Sequence, residues 1–215
     1  MEVRIAVTME YNQIAARSVE RMSALSDGLF AIAMTILVLE LHPPAAEAIH
    51  SEADLWHGLV EIGPQVLMFL MSFLTLGIFW GGQQTQLNYL ARADRNITWL
   101  HLGFLFFVTM VAFSTRLLGD FIGFRLALAV YWANILLLGI MLWLTWRYAI
   151  AAGLLKPEAT PEVLKAANRR IIVYQALYAG CMLVGFVSVP LAIGLLVLLQ
   201  LNSAVAPRLW ILSRF

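Results

Sequence analysis

Residues Ala16–Pro44 read ARSVERMSALSDGLFAIAMTILVLELHPP. From Ala24 to Leu41 the run is apolar apart from Ser26, Asp27, Thr35 and Glu40. A helix that crosses a bilayer needs about 20 mostly apolar residues, and this run approaches that length. Ser18 is placed to cap the start, Glu20 falls in the first turn, and Pro43-Pro44 stops the helix. Asp27 lies about one turn inside and Arg21 just outside, so the helix opens on a charged pair. Ionisable groups within a membrane segment are costly and are functional candidates by default.

The rest of the chain extends this reading. Of 215 residues, 61% are hydrophobic and 13% charged, with a mean hydropathy of +0.82. Soluble domains carry roughly a quarter charged residues, so the composition belongs to the membrane class. Six segments approach the spanning length: Ala24–Leu41, Leu55–Gly81, Ile97–Leu118, Phe124–Ala151, Ile171–Val187 and Val189–Val205. The last two share one apolar run, broken only at Gly185, Ser188 and Pro190. Cytoplasmic loops carry an excess of Lys and Arg. With six spans and both termini inside, Arg4, Arg17, Arg21, Arg92, Arg95, Arg147, Lys156, Lys165, Arg169, Arg170, Arg208 and Arg214 are cytoplasmic. Only Arg116 and Arg125 lie outside, a 12 to 2 division of all 14 basic residues. Trp56, Trp80, Trp99, Trp146 and Trp210 fall near segment ends, as aromatic belts do. The expectation is an all-α, multi-pass inner-membrane protein. Residues 1–215 form one six-helix transmembrane domain, both ends cytoplasmic, with Lys156–Arg170 a short exposed helical linker. No cleavable leader is evident, so the first helix is expected to stay as an anchor.

Several chemistries are missing. There is no GxxxxGK[ST] loop, HExxH, CxxC or GxSxG, nor a TVGYG-like carbonyl filter. Cys181 is the lone cysteine, with no partner for a disulfide or metal site. His42, His50 and His57 lie on or beside the first outer loop, where solvated side chains are expected rather than a metal site. A net charge of +1 leaves no basic surplus for nucleic acid. The chain is expected to be neither an enzyme nor a holder of a cofactor or metal.

At about 100° per residue, Ile32, Thr35, Ile36 and Leu39 share one stripe of the first helix. Asp27 points about 140° from Ile32, so a second face is expected to bury the carboxylate. Its candidate partners at the same depth are Arg21, Ser26, Trp80, Gln83, Gln84, Asn96, Trp99 and His101. Together they would make a polar network holding the first helix against the second and third, since buried charge must be paired or hydrogen-bonded. At the outer end Glu40, Glu47, Glu52, Asp54 and Glu61 occur without Lys or Arg. This is either a negative mouth that concentrates cations or the ordinary charge bias of an outer loop.

The segment Arg21-Met-Ser-Ala-Leu25-Ser26-Asp27-Gly28 resembles the Arg-x-x-x-Phe-Ser-Asp signature of the transmembrane protein 175 family. That family comprises the lysosomal and endosomal potassium channels of animals and smaller prokaryotic relatives. Trp80, Thr98–Phe107 (TWLHLGFLFF) and Phe113-Ser114-Thr115 resemble later family blocks, so the likeness covers roughly the first 120 residues. It departs at Leu25, where the signature has Phe, at His101, where Asn is common, and at Gln83 or Gln84, where His is expected. The resemblance implies a homotetramer of six-helix channel subunits whose first helices line a path for potassium and other monovalent cations. By distance from the signature Asp, the main apolar constriction falls on Ile32, a hydroxyl layer on Thr35, and further apolar positions on Ile36 and Leu39. Potassium would be the permeant ion, with Glu40 at the outer mouth. Two other readings stay open. One is a proton-coupled transporter or proton pathway through Asp27 and His101, although no inverted repeat is visible. The other is a non-conducting scaffold packed through Gly77-x-x-x-Gly81.

Overall fold

The computed structural model describes residues 18–205. Arg4, Arg17, Arg208, Arg214 and Trp210 lie outside the described residues. The described chain is all-helical apart from one isolated bridge between extended residues. Helix α1 spans Val19–Ile36 and tightens into a 3-10 turn over Leu37–Glu40. A short 3-10 turn at Ala46–Ala48 leads to α2, Glu52–Glu61. Then follow α3, Gly63–Tyr89, α4, Arg95–Asp120, α5, Arg125–Ala151, α6, Pro161–Gly185, and α7, Val189–Val205. Among the described residues four stretches are long and apolar enough to cross a membrane: Val19–Glu40, Gly63–Tyr89, Arg95–Asp120 and Arg125–Ala151. The chain is therefore a multi-pass membrane protein. Helix α7 is apolar but shorter, and the first half of α6 carries Glu162, Lys165, Arg169 and Arg170.

Two boundaries differ from the sequence reading. The expected second span, Leu55–Gly81, is two helices, because Pro64 is tolerated only in the first turn of a helix. The chain turns at Ile62, and α3 restarts at Gly63. At its other end α3 continues to Tyr89, through the glutamine-rich stretch expected to be a polar joint. Those glutamines are not solvated loop residues: Gln83 and Gln86 turn inward and are buried. The expected exposed helical linker Lys156–Arg170 is helical from Pro161 onward, and that helix is continuous with the next segment, running unbroken to Gly185.

The caps follow from chemistry. The Ser18 hydroxyl accepts from the Arg21 amide at 3.2 Å, and Asp94 caps α4 by accepting from the Ile97 amide at 2.8 Å. Helix α5 ends where Gly153 takes φ +63°, a left-handed conformation that glycine adopts without cost. Beyond it the chain pairs with the α3–α4 joint: the Ala91 amide donates to Leu154 O and the Lys156 amide to Tyr89 O, both at 2.9 Å. Between α6 and α7 the amides of Phe186, Val187 and Ser188 close a tight turn.

Helix α3 is central. It packs against α1, α4 and α7, while α4 and α5 form a long antiparallel hairpin and α6 lies on α5 and α7. The core joins Phe30 and Leu37 of α1 to Met68, Met71, Phe104, Val108, Leu128 and Leu196. Within it sits a hydroxyl cluster. Thr115 donates to Ser72 Oγ at 2.6 Å, Tyr131 lies 3.0 Å from Thr75 Oγ1, and Gln200 Nε2 of α7 donates to Thr75 at 2.7 Å. A polar group away from water must find such partners within the protein, so these bonds fix how α3, α4, α5 and α7 meet.

Candidate functional site: the free face of the first helix

Helix α1 is divided lengthwise. Met22, Ser26, Phe30, Ala33 and Leu37 are buried against its own subunit, at the i, i+4, i+8, i+11, i+15 spacing of one helical face. Away from that face Leu25, Gly28, Ile32, Thr35, Ile36 and Leu39 are exposed, Ile32 at 55% and Leu39 at 72%. The four stripe residues expected from the helical wheel therefore lie together on a surface that the subunit does not cover. The Thr35 hydroxyl lies 2.9 Å from Ile32 O and 3.0 Å from Ala31 O, so its proton is turned back into the helix. What Thr35 offers a ligand on the exposed side is oxygen lone pairs, the chemistry a cation takes.

The expected single polar network resolves into two groups. In the first, Asp27 accepts from Trp80 Nε1 at 2.8 Å and from the Gln84 side-chain amide, whose oxygen accepts from Ser23 Oγ at 3.2 Å. Asp27 is exposed in the subunit, contrary to the expectation of a buried carboxylate. Arg21 does not pair with it: six residues apart on a helix, the two side chains point about 120° apart. Asn96 is not a partner either. It donates to Tyr148 OH at 3.0 Å, which in turn donates to Asp94 at 2.6 Å. Trp99 is 63% exposed.

The second group is buried. His101 Nε2 lies 3.2 Å from Met22 O and 3.1 Å from Ser26 Oγ, and Nδ1 lies 3.0 Å from Gln83 Nε2. A carbonyl can only accept, so Met22 O places the ring proton on Nε2. Nδ1 is then the acceptor for Gln83, which fixes the neutral tautomer. The result is a hydrogen-bonded chain from α1 through α4 to α3. Asp27 and His101 thus belong to separate hydrogen-bonded groups. Ser23 escaped the sequence reading, although a small hydroxyl residue one turn before Asp27 is the kind of signal that could have found it.

At the other end of α1, Glu40 meets Arg116 at 3.0 Å, and Arg116 also reaches Asp120 at 3.5 Å. The acidic group expected at the outer end is therefore not free of basic residues as the loop sequence alone suggested; α4 brings Arg116 to Glu40. The Ser51 hydroxyl and the His50 amide hold the Asp54 carboxyl below its ordinary range. His42 and His57 bond backbone carbonyls, and among the described residues no group of three acidic, His or Cys side chains is placed to hold a metal. A side chain on Gly81 would meet nothing within 4 Å, so the Gly77-x-x-x-Gly81 motif is not a tight packing site inside the subunit.

Residues 21–111 match the family model described as endosomal/lysosomal potassium channel TMEM175. A potassium channel of Streptomyces collinus is 30% identical over 178 residues, covering 80% of this chain and 85% of that protein. A potassium channel of Chamaesiphon minutus is 30% identical over 188 residues, covering 86% of this chain and 92% of the relative. Among solved structures, the crystal structure of a lysosomal potassium-selective channel TMEM175 homolog from Chamaesiphon minutus superposes with a TM-score of 0.76 at 28% identity. It covers 86% of this chain and 96% of that one.

Proposed function

The chain belongs to the TMEM175 family of potassium channels, and on that premise we propose that it is a potassium-selective channel whose ion path is lined by the first helices of several subunits. It is not an enzyme. The assembly is a homotetramer in the inner membrane, with α1 innermost, six spans in each subunit and both termini cytoplasmic. Residues 1–215 act in it as one channel domain. The six-span arrangement draws support from the distribution of basic residues and from the tight α6–α7 turn, which makes those helices a hairpin.

The observation that carries the pore assignment is the exposed stripe on α1. A membrane helix that packs one face into its own subunit and leaves Ile32, Thr35, Ile36 and Leu39 free needs either lipid or like helices against that face. Four such helices around an axis would set rings of Ile32, Ile36 and Leu39 as apolar constrictions that gate by dewetting. A ring of Thr35 oxygens between them would replace part of an ion's hydration shell. Potassium and other monovalent cations are the permeant species. Glu40 stands at the outer mouth, with its charge shared with Arg116. Ser26, Asp27, Trp80 and His101 brace the helix from outside the path, whereas Arg21, expected in the same network, contributes only its backbone amide to the Ser18 cap.

Potassium flux from proteoliposomes tests this. Ile32→Asn should raise flux several-fold by wetting the constriction, and Thr35→Ala should change the potassium-to-sodium ratio. Unaltered flux and selectivity in both variants would remove α1 from the path.

A further inference from the structure

Beside the buried His101 group lies a small cavity of about 10 Å³, lined by Gln83, Gln86, His101, Thr145 and Trp146 among apolar side chains. By this measure about 10–15 Å³ holds one water. Three buried polar atoms of its lining residues have no protein partner: Gln83 Oε1, Gln86 Oε1 and Trp146 Nε1. Their residues are nearly inaccessible, at 3%, 5% and 1% exposure. Helix packing brings the three residues to the lining of one cavity. Gln83 and Gln86 sit three residues apart on one face of α3. Gln86 Nε2 donates to Leu142 O at 3.1 Å, and Leu142 lies one turn from Trp146 on α5.

We infer that this cavity is the binding site of one ordered water molecule, which joins the brace of the first helix to α5. The donor count selects the ligand. Water brings two protons and an acceptor; the site presents two amide oxygens and one indole N–H. Three hydrogen bonds form, the usual number for a buried water. A potassium ion does not match, because the indole proton would face a cation and only two of the three unpartnered atoms are oxygens. The amide of Gln83 is oriented by the His101 tautomer, with nitrogen to the ring, so its oxygen is committed to the water. The hydrogen-bonded chain then runs Ser26, His101, Gln83, water, Gln86 and Trp146, from α1 through α4 and α3 to α5. Gln86 and Trp146 become positioning residues for the brace although neither hydrogen-bonds to α1.

The test uses the full-length channel in lipid nanodiscs, solved at a resolution that shows waters, in potassium and again with thallium replacing it. One density peak about 2.7–3.2 Å from all three atoms, without thallium signal, is expected. A thallium peak there, or side chains that satisfy one another with no density between them, would overturn the inference. In solution, the Trp146 indole N–H, assigned by its loss in Trp146→Phe, should show a cross-peak to a long-lived water. That cross-peak should disappear in Gln86→Met. Its absence from the unmodified channel, or its persistence in Gln86→Met, also counts against the site.

Discussion

Asp27 shows how one side chain can be costly without being the working part of a site. It accepts from Trp80 and Gln84 of α3 at the edge of the subunit, and so ties the start of α1 to a neighbouring helix. A hydrogen bond to a charged acceptor contributes about 1.5–3 kcal/mol, less where solvent reaches it. Trp80→Phe removes the donor and keeps the ring. Together with Asp27→Asn and the double variant, it should give a coupling of about 1 kcal/mol in denaturant melts of detergent-solubilised protein. A coupling near zero would mean that the 2.8 Å contact is incidental. Periodicity was enough to separate Asp27 from the Ile32 stripe. It could not name the partners, because Gln83 and Gln84 are adjacent in sequence and only the rotation of α3 decides that Gln84 meets Asp27 and Gln83 meets His101. Arg21 was misleading for the opposite reason. Nearness in sequence suggested a pair that helical geometry forbids.

Among the elements, helix positions were legible wherever apolar runs were long, and boundaries were not. Polar side chains that bond inside the bundle look, in sequence, like polar side chains in a loop. The α3 extension to Tyr89 is of this kind. The α2–α3 break was signalled by Gly63-Pro64, but an apolar run on both sides hid it. Contacts between helices make their own predictions. At Gly139 of α5 an added Cβ would collide with the Gln175 side-chain amide of α6. That amide donates to Ile135 O at 3.2 Å. Gly139→Ala should therefore displace Gln175, break this bond and cost about 1–2 kcal/mol. Adding Gln175→Ala should recover part of the loss, read as a melting temperature that rises from the single to the double variant. On α1 the two faces should separate cleanly. Phe30→Ala, at a buried position beside Phe104, should cost about 3 kcal/mol. Ile32→Asn should leave the subunit's own stability within about 0.5 kcal/mol while altering flux.

For the whole molecule, exposed apolar residues such as Leu126 at 74% and Val187 at 85% fit a surface solvated by lipid. The α1 stripe needs a second kind of neighbour if it lines a path. In a Cys181→Ser background, Ile32→Cys should form disulfide-linked pairs in particles whose mass by light scattering is four times the 24.0 kDa chain. A monomeric particle without cross-links would refute the assembly. The Glu40 end of α1, proposed above as the outer mouth, bears on how such a channel would be measured. The Arg116–Glu40 pair is short, but its side chains are 54% and 23% exposed. Electrostatic attraction of that kind weakens as the Debye length contracts, from about 8 Å at 0.15 M to 3 Å at 1 M ionic strength. In a cation channel the electrolyte that carries the current is also the one that screens the entrance. Raising permeant salt therefore changes both occupancy of the path and the field at its rim. A conductance–concentration curve separates the two only when ionic strength is held constant with an impermeant salt.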